Sequence, residues 1–430
     1  MILKPLYDNS EVSESLIEHP IVSNLVNVSL GELDKKRFIT FPQQLSDSSD
    51  LEDDNYIFQH SNGKVRTCNI VGILSHSGDE LRINSRFTNK ENQEDFFLRY
   101  MIQKVLNYNV IESEISTSEE FSYYDLLIFL FPYYLNEAMR KGLYKEYVRN
   151  EYNDANIKGA IDFNRHIKNN VPFHGAVSYN SREFSYDNKI TQLIRHTIEK
   201  IGNEHEFLLT CDDNTINNVR DIRQVTSRYK KTDRLDVIEN NLINPVKHGY
   251  YEEYSDLQRI CIQILSESKS GFGNNDNQVN GVIIDVAWLW EEYIWKVTQW
   301  KHYGKRPDLE TLRLFKGLNG GLRYPDFSIK NIPIDTKYKI NIDTRNDYNQ
   351  VITYMYVMNS NTDVRIKGGF LQPTSDINPK NHGYEKIGEL NGIGGELFKY
   401  RFFVPQNVKT YVDFVNEISI SESKLVSIEL

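Results

Sequence analysis

The chain has 430 residues, 39% hydrophobic and 26% charged, with a formal net charge of −10. That length exceeds one ordinary core and points to two or three domains, and no stretch reaches the roughly 18 consecutive apolar residues a membrane-spanning helix needs. Cys68, Cys211 and Cys261 are too scattered for a zinc site or disulfide framework, and MILKPLYDNSEVSES lacks the basic start and apolar run of a secretion signal, so a cytoplasmic location is expected.

The first 110 residues read as short strands. FITFPQQ, YIFQH, KVRTCNIVGIL and ELRINSRF alternate apolar with polar or β-branched residues, between turn clusters such as SNGK and SHSGDE. Residues 43–55, acidic and serine-rich, read as a solvated connector. From about residue 95 the period becomes helical, with Phe97, Tyr100, Met101, Lys104 and Tyr108 near one face. The segment beginning YYDLLIFLF predicts one or two apolar helices interrupted at Pro132. Residues 187–202 predict another helix, stopped by Gly202, and 213–240 a polar one. The Gly-, Ser- and Asn-rich stretch 266–281 reads as a linker.

Beyond it the elements are a helix over 283–302, the strands LRLFKG, LRYPDFSIK and PIDTKYKI, the helix NDYNQVITYMYVMN, the strands DVRIKGGFLQP and LFKYRFFVP, and a closing helix over 406–419. The whole predicts an α+β multidomain chain: a β-rich N-terminal domain (1–110), a mainly helical middle region (111–275) and a C-terminal α/β domain (276–430). Charge divides unevenly between these parts. From residue 281 onward there are 19 basic and 18 acidic residues, against 31 and 42 before it. The acidic part suits protein docking better than DNA clamping, because nonspecific DNA affinity comes mostly from phosphate neutralisation.

One segment carries chemistry: Tyr324-Pro325-Asp326, then eight residues, then Asp335-Thr336-Lys337. Positions i and i+2 of a strand share a face, so Asp335 and Lys337 project together and Thr336 oppositely. A bend at Lys330–Pro333 can bring Asp326 alongside. Two carboxylates are hard oxygen ligands suited to Mg²⁺, and charges in so apolar a strand are costly without a purpose. On the next predicted helix Gln350 and Tyr354, four apart, share a face. On the helix before the core, Glu291 and Glu292 fall on opposite flanks of the stripe Val286, Leu289, Trp290, Tyr293, Val297 and Trp300, and spacing does not choose between them. His166, His174, His196 and His302 share no metal-ligand spacing. The Gly pairs at 320–321, 368–369 and 394–395 read as hairpin or loop glycines.

The run PDFSIKNIPIDTKYK resembles the core of PD-(D/E)xK nucleases, and DYNQVITYMY resembles the QxxxY motif of one branch of that superfamily. VGILSHSGDELRINSRF, IKGAIDFNRHI, YDNKITQLIRHTI and this core, in that order, resemble the McrC family, the nuclease subunit of McrBC-type modification-dependent restriction systems. The resemblance implies a PD-(D/E)xK domain at the C-terminus that hydrolyses DNA phosphodiesters with Mg²⁺. It further implies metal held by Asp326 and Asp335, catalysis by Lys337, positioning by Gln350 and Tyr354, and a helix glutamate at the metal, favouring Glu291. The partner it implies is an McrB-like AAA+ motor that binds and hydrolyses GTP, in a hetero-oligomer docked through the N-terminal region of this chain. The chain itself has no Gly-x-x-x-x-Gly-Lys-Ser/Thr loop to cradle nucleotide phosphates. The alternatives are a catalytically silent activator of such a motor and a stand-alone nuclease of the same superfamily.

Overall fold

Strand Asn280–Asp285 pairs antiparallel with Ile70–His76 and parallel with Phe38–Phe41, more than 190 residues distant in sequence. This computed structural model describes residues 2–33, 38–42, 56–61, 63–89, 95–106, 123–266, 279–303, 311–317, 321–359, 366–392, 394–406 and 408–428. The acidic loop 43–55, Tyr108 and most of the linker 266–281 lie outside them. The chain divides into two compact units, one of Met1–Tyr123 with Lys269–Leu430 and the other of Tyr124–Ser268. That differs from three consecutive domains: the strand at 280–285 completes a sheet begun at the N-terminus. The expected helix over 283–302 accordingly begins only at Val286 and ends at Thr298.

The first unit holds two principal sheets. One orders its strands Leu6–Tyr7, Asp79–Asn84, Ile70–His76, Asn280–Asp285 and Phe38–Phe41. It lies over a core that includes Leu25, Phe58, Leu74, Leu81 and Ile283. The other orders Lys301–His302, Phe327–Ile329, Ile332–Thr336, Lys367–Thr374, Glu396–Phe403 and Gly383–Glu389. Its centre is parallel, from Ile332–Thr336 through Lys367–Thr374 to Glu396–Phe403. Helix Asn346–Met358 connects the first two of these and lays Val351 and Met355 on Phe370 and Leu397. Such a crossover is what parallel neighbours require.

Two expectations change in this sheet. The run LRYPDFSIK divides, because Leu322–Arg323 pairs with Leu312–Arg313 in a separate ribbon and only Phe327–Ile329 joins the main sheet. Gly368 and Gly369 lie inside a central strand rather than in a hairpin. A Cβ on Gly368 would come within 2.4 Å of Met355, and one on Gly369 within 2.5 Å of the Phe398 ring, so close packing requires both.

Helix Val286–Thr298 is capped by Asp285, whose carboxylate accepts from Ala287 N at 2.9 Å and Trp288 N at 3.1 Å. Its Trp290 and Tyr293 meet Phe97 of helix Phe96–Val105 at ring separations of 6.1 and 5.9 Å, and Trp290 meets Phe402 at 5.5 Å. The closing helix, Tyr411–Val426, starts later than expected and brings Glu422 to Tyr100 OH (3.0 Å) and Tyr293 OH (2.8 Å). Trp288, on another side of the tryptophan-rich helix, packs edge-on against Phe41 at 5.3 Å. The helix is thus covered on two sides, as its all-round apolarity predicts.

The second unit combines helices with a three-stranded sheet, Glu146–Asp154, Val177–Ser185 and Ala160–Ile161, absent from the expectation of a mainly helical middle region. Pro132 sits within a single helix, Tyr123–Met139, whose central residues are buried; packing there outweighs the lost backbone bond. Helix Lys189–Glu204 buries Leu193, Ile194, Ile198 and Ile201 and runs through Gly202, ending where His205 N donates to Ile201 O. The expected polar helix is two helices, Asp213–Val225 and Arg234–Ile243. Among the described residues no helix is long and apolar enough to cross a membrane.

Candidate active site

The site grows from a tight hairpin. Ile329 pairs with Ile332, and the intervening Lys330 and Asn331 have φ of 49° and 67°. Two consecutive positive φ values match the two-residue turn whose twist suits a hairpin. Register then sets Phe327 opposite Ile334, which leaves Asp326 opposite Asp335 one step further along. Beyond Thr336, Lys337 N donates to Leu371 O at 2.9 Å, so the lysine backbone stays anchored to the parallel neighbour.

Asp335 is 1% exposed, and its Oδ2 lies 2.8 Å from Lys337 Nζ. That ion pair is the contact made by this otherwise unpartnered, buried carboxylate oxygen among the described residues. Asp326 accepts from both the N–H and the Oγ1 hydroxyl of Thr336, each at 2.6 Å. Thr336 was expected to face away; instead it holds the carboxylate of the neighbouring strand. Lys337 also lies 3.4 Å from the Gln350 carbonyl oxygen and 3.6 Å from Asp347 Oδ1. The Gln350 amide donates to Tyr354 OH at 2.8 Å, and Tyr354 OH donates to Tyr324 O at 3.4 Å. Asp347, Gln350 and Tyr354 therefore form one helical face over the lysine.

On the opposite side, Glu291 accepts from His302 Nε2 at 2.9 Å. Glu291 thus meets His302, and its negative charge helps to raise the pKa of Asp326.

Burial raises Asp335 to about 7, with Lys337 opposing and Asp326 reinforcing the shift. Burial raises Asp326 to about 6, reinforced by Glu291 and opposed by Lys337 and Thr336. Burial alone would depress Lys337; the carboxylates of Asp335, Asp326 and Asp347 outweigh it and hold the ammonium charged. For His302, burial opposes the charge, but the bond to Glu291 and the nearby acids leave its pKa raised. Two reluctant carboxylates beside a firmly charged cation make a site where an additional positive charge is favourable.

Among the described residues, no three His, Cys, Asp or Glu side chains converge as a ready metal cage. The donor set fits Mg²⁺ nonetheless, because that ion takes one or two carboxylates and completes its shell with water and substrate phosphate. The buried Oδ2 of Asp335, paired among the described residues with the Lys337 ammonium, is a donor of the required kind.

The sites marked by sequence, Asp326, Asp335, Lys337, Gln350, Tyr354 and Glu291, all line this end of the sheet. Sequence reasoning passed over His302 and Asp347. His302 lies 11 residues from Glu291 with no regular spacing, and only strand pairing brings it in. Asp347 was legible as the residue one turn before Gln350 on the same helix.

These features define a mixed α/β protein with an Asp–Asp–Lys cluster at one end of a mixed sheet whose centre is parallel. A model of the family described as McrBC 5-methylcytosine restriction system component matches residues 65–366, and the chain belongs to that family. Among solved structures, it is similar to a half-complex from a tetradecameric assembly of Thermococcus gammatolerans McrB AAA+ hexamers with bound McrC. Identity is 14% and the TM-score 0.44, covering 97% of this chain and 100% of that one. The cryo-EM structure of the Thermococcus gammatolerans McrBC complex matches at 14% identity and a TM-score of 0.30, covering 71% and 89%. No curated protein matches.

Proposed function

We propose that this chain is the Mg²⁺-dependent DNA endonuclease subunit of an McrBC-like, modification-dependent restriction system, with a PD-(D/E)xK domain around the site. The observation that carries the reading is the meeting of Asp326, Asp335 and Lys337 on adjacent strands, with Lys337 Nζ 2.8 Å from Asp335. Asp326 and Asp335 would hold Mg²⁺, with Glu291 supplying a third carboxylate charge. When bound, the cation supplies Lewis-acid charge beside the scissile phosphate.

The remaining work belongs to the chain. Lys337, kept protonated by three carboxylates, offers a fixed positive charge to the phosphate and a donor to orient an attacking water. Gln350 holds the ammonium through its carbonyl while Tyr354 fixes the amide from the other end. Thr336 fixes Asp326, so that carboxylate need not reorganise when substrate arrives. The near-neutral C-terminal part and the acidic remainder suit a subunit brought to DNA by a partner. That partner is an McrB-like AAA+ GTPase, which binds the nucleotide and whose hydrolysis this chain stimulates.

Asp335→Ala is the direct test. It is expected to fold and to stimulate GTP hydrolysis by the partner while Mg²⁺-dependent DNA cleavage falls to background. Full cleavage by a nuclease-free preparation of the variant would exclude the assignment. Cleavage by wild-type chain alone, unaffected by partner and GTP, would favour a stand-alone nuclease.

A further inference from the structure

We propose that His302 is a positioning residue for the site: its Nε2–H holds Glu291 at the flank of Asp326, keeping a third carboxylate charge where a divalent cation binds. The inference rests on the nuclease reading above and adds a residue that the sequence motifs do not contain.

Glu291 is a long side chain on a helix, 30% exposed, and free to turn toward solvent. Immobilising such a chain costs rotamer freedom, so a carboxylate kept at a site needs a partner. Among the described residues, His302 is the side chain that hydrogen-bonds it, at 2.9 Å. The imidazole is itself well fixed. It is 14% exposed and packs edge-on against Phe327 at 4.9 Å and Trp295 at 6.2 Å. Its Nδ1 is buried without a hydrogen-bond partner, so the ring's one directed polar contact is the bond to Glu291.

The backbone makes this arrangement specific. His302 pairs with Phe327, the residue after Asp326, and the next residue, Tyr303, donates its N–H to Asp326 O at 3.3 Å. The same edge strand therefore braces the backbone of one acid and grips the side chain of another. A second, outer hydrogen bond that orients a carboxylate of a metal site commonly changes metal affinity about 10–100-fold.

The test uses the full-length chain and Mn²⁺ as probe, with affinity read by calorimetry at pH 8 and cleavage as a second readout. His302→Phe keeps the aromatic packing but removes the donor, and is expected to weaken Mn²⁺ binding about tenfold. His302→Gln, whose amide N–H can reach the position of Nε2, is expected to restore most of that loss. Glu291→Gln is expected to weaken binding comparably, and the double variant Glu291→Gln/His302→Phe no further, because both act through one contact. Wild-type affinity in His302→Phe, or additive losses in the double variant, would overturn the inference alone, provided Asp335→Ala still abolishes binding. A wild-type chain that binds no Mn²⁺ would overturn the inference together with the metal-site reading.

Discussion

The raised carboxylate pKa values make stability depend on pH and Mg²⁺ in a specific direction. Asp335 and Asp326 are held near 7 and 6, against 3.8 for an unperturbed aspartate. Each binds a proton in the folded state at a pH where the unfolded chain does not. Their contribution is therefore complete at low pH and declines as pH rises toward the folded values. Between pH 5.5 and 8 Asp335 crosses about 1.5 pH units of this range and Asp326 about half a unit. At about 1.4 kcal/mol per unit, the loss has a ceiling of about 3 kcal/mol. Lys337, raised from 10.5, is charged throughout the window and adds no slope. Asp95 and Asp285, each pushed up to about 6 by burial, slope in the same direction. The informative quantity is thus the difference between wild type and Asp326→Asn/Asp335→Asn. In EDTA, the first unit of the wild type should lose up to about 5 °C more than the variant's between these pH values. Excess Mg²⁺ should return about 3 kcal/mol at pH 8 when present at a hundredfold its Kd, and much less at pH 5.5, where protons compete. The variant should show no Mg²⁺ response. Differential scanning calorimetry with and without Mg²⁺ measures each quantity. An equal Mg²⁺ shift at both pH values, or a shift that survives in the variant, would refute the reasoning.

Two further substitutions test the scaffold. Arg86 pairs with the fully buried Asp8 carboxylate at 2.8 Å, donates to Tyr338 O and stacks on the Tyr338 ring, 4.1 Å from its centre. Arg86→Ala leaves a buried charge without its cation and should cost about 3–5 kcal/mol in urea unfolding; a loss under about 1 kcal/mol would show that Asp8 finds another partner. Gly369→Ala drives a methyl into Phe398, itself fully buried, and should cost about 1–3 kcal/mol by the same measurement, whereas an unchanged midpoint would mean that the strand can shift.

Much of the site was legible because its parts are local. Asp335 and Lys337 share a face by the two-residue period of a strand, Gln350 and Tyr354 by the four-residue step of a helix, and Asp326 reaches them across a two-residue turn. Those relations depend only on backbone periodicity, which short sequence windows carry. Tertiary structure decided what joins across distance. It placed the strand at 280–285 in the N-terminal sheet, inserted residues 124–268 as a separate unit, divided the expected strand at 322–329, and set Gly368 and Gly369 in a central strand where packing leaves no room for a Cβ. It also brought His302 to Glu291, through the register of Lys301–His302 on Phe327–Ser328. Periodicity determines which way a side chain faces, but the partner it meets depends on which strands pair, and hydrogen-bonded pairing between distant segments leaves no local mark in the sequence.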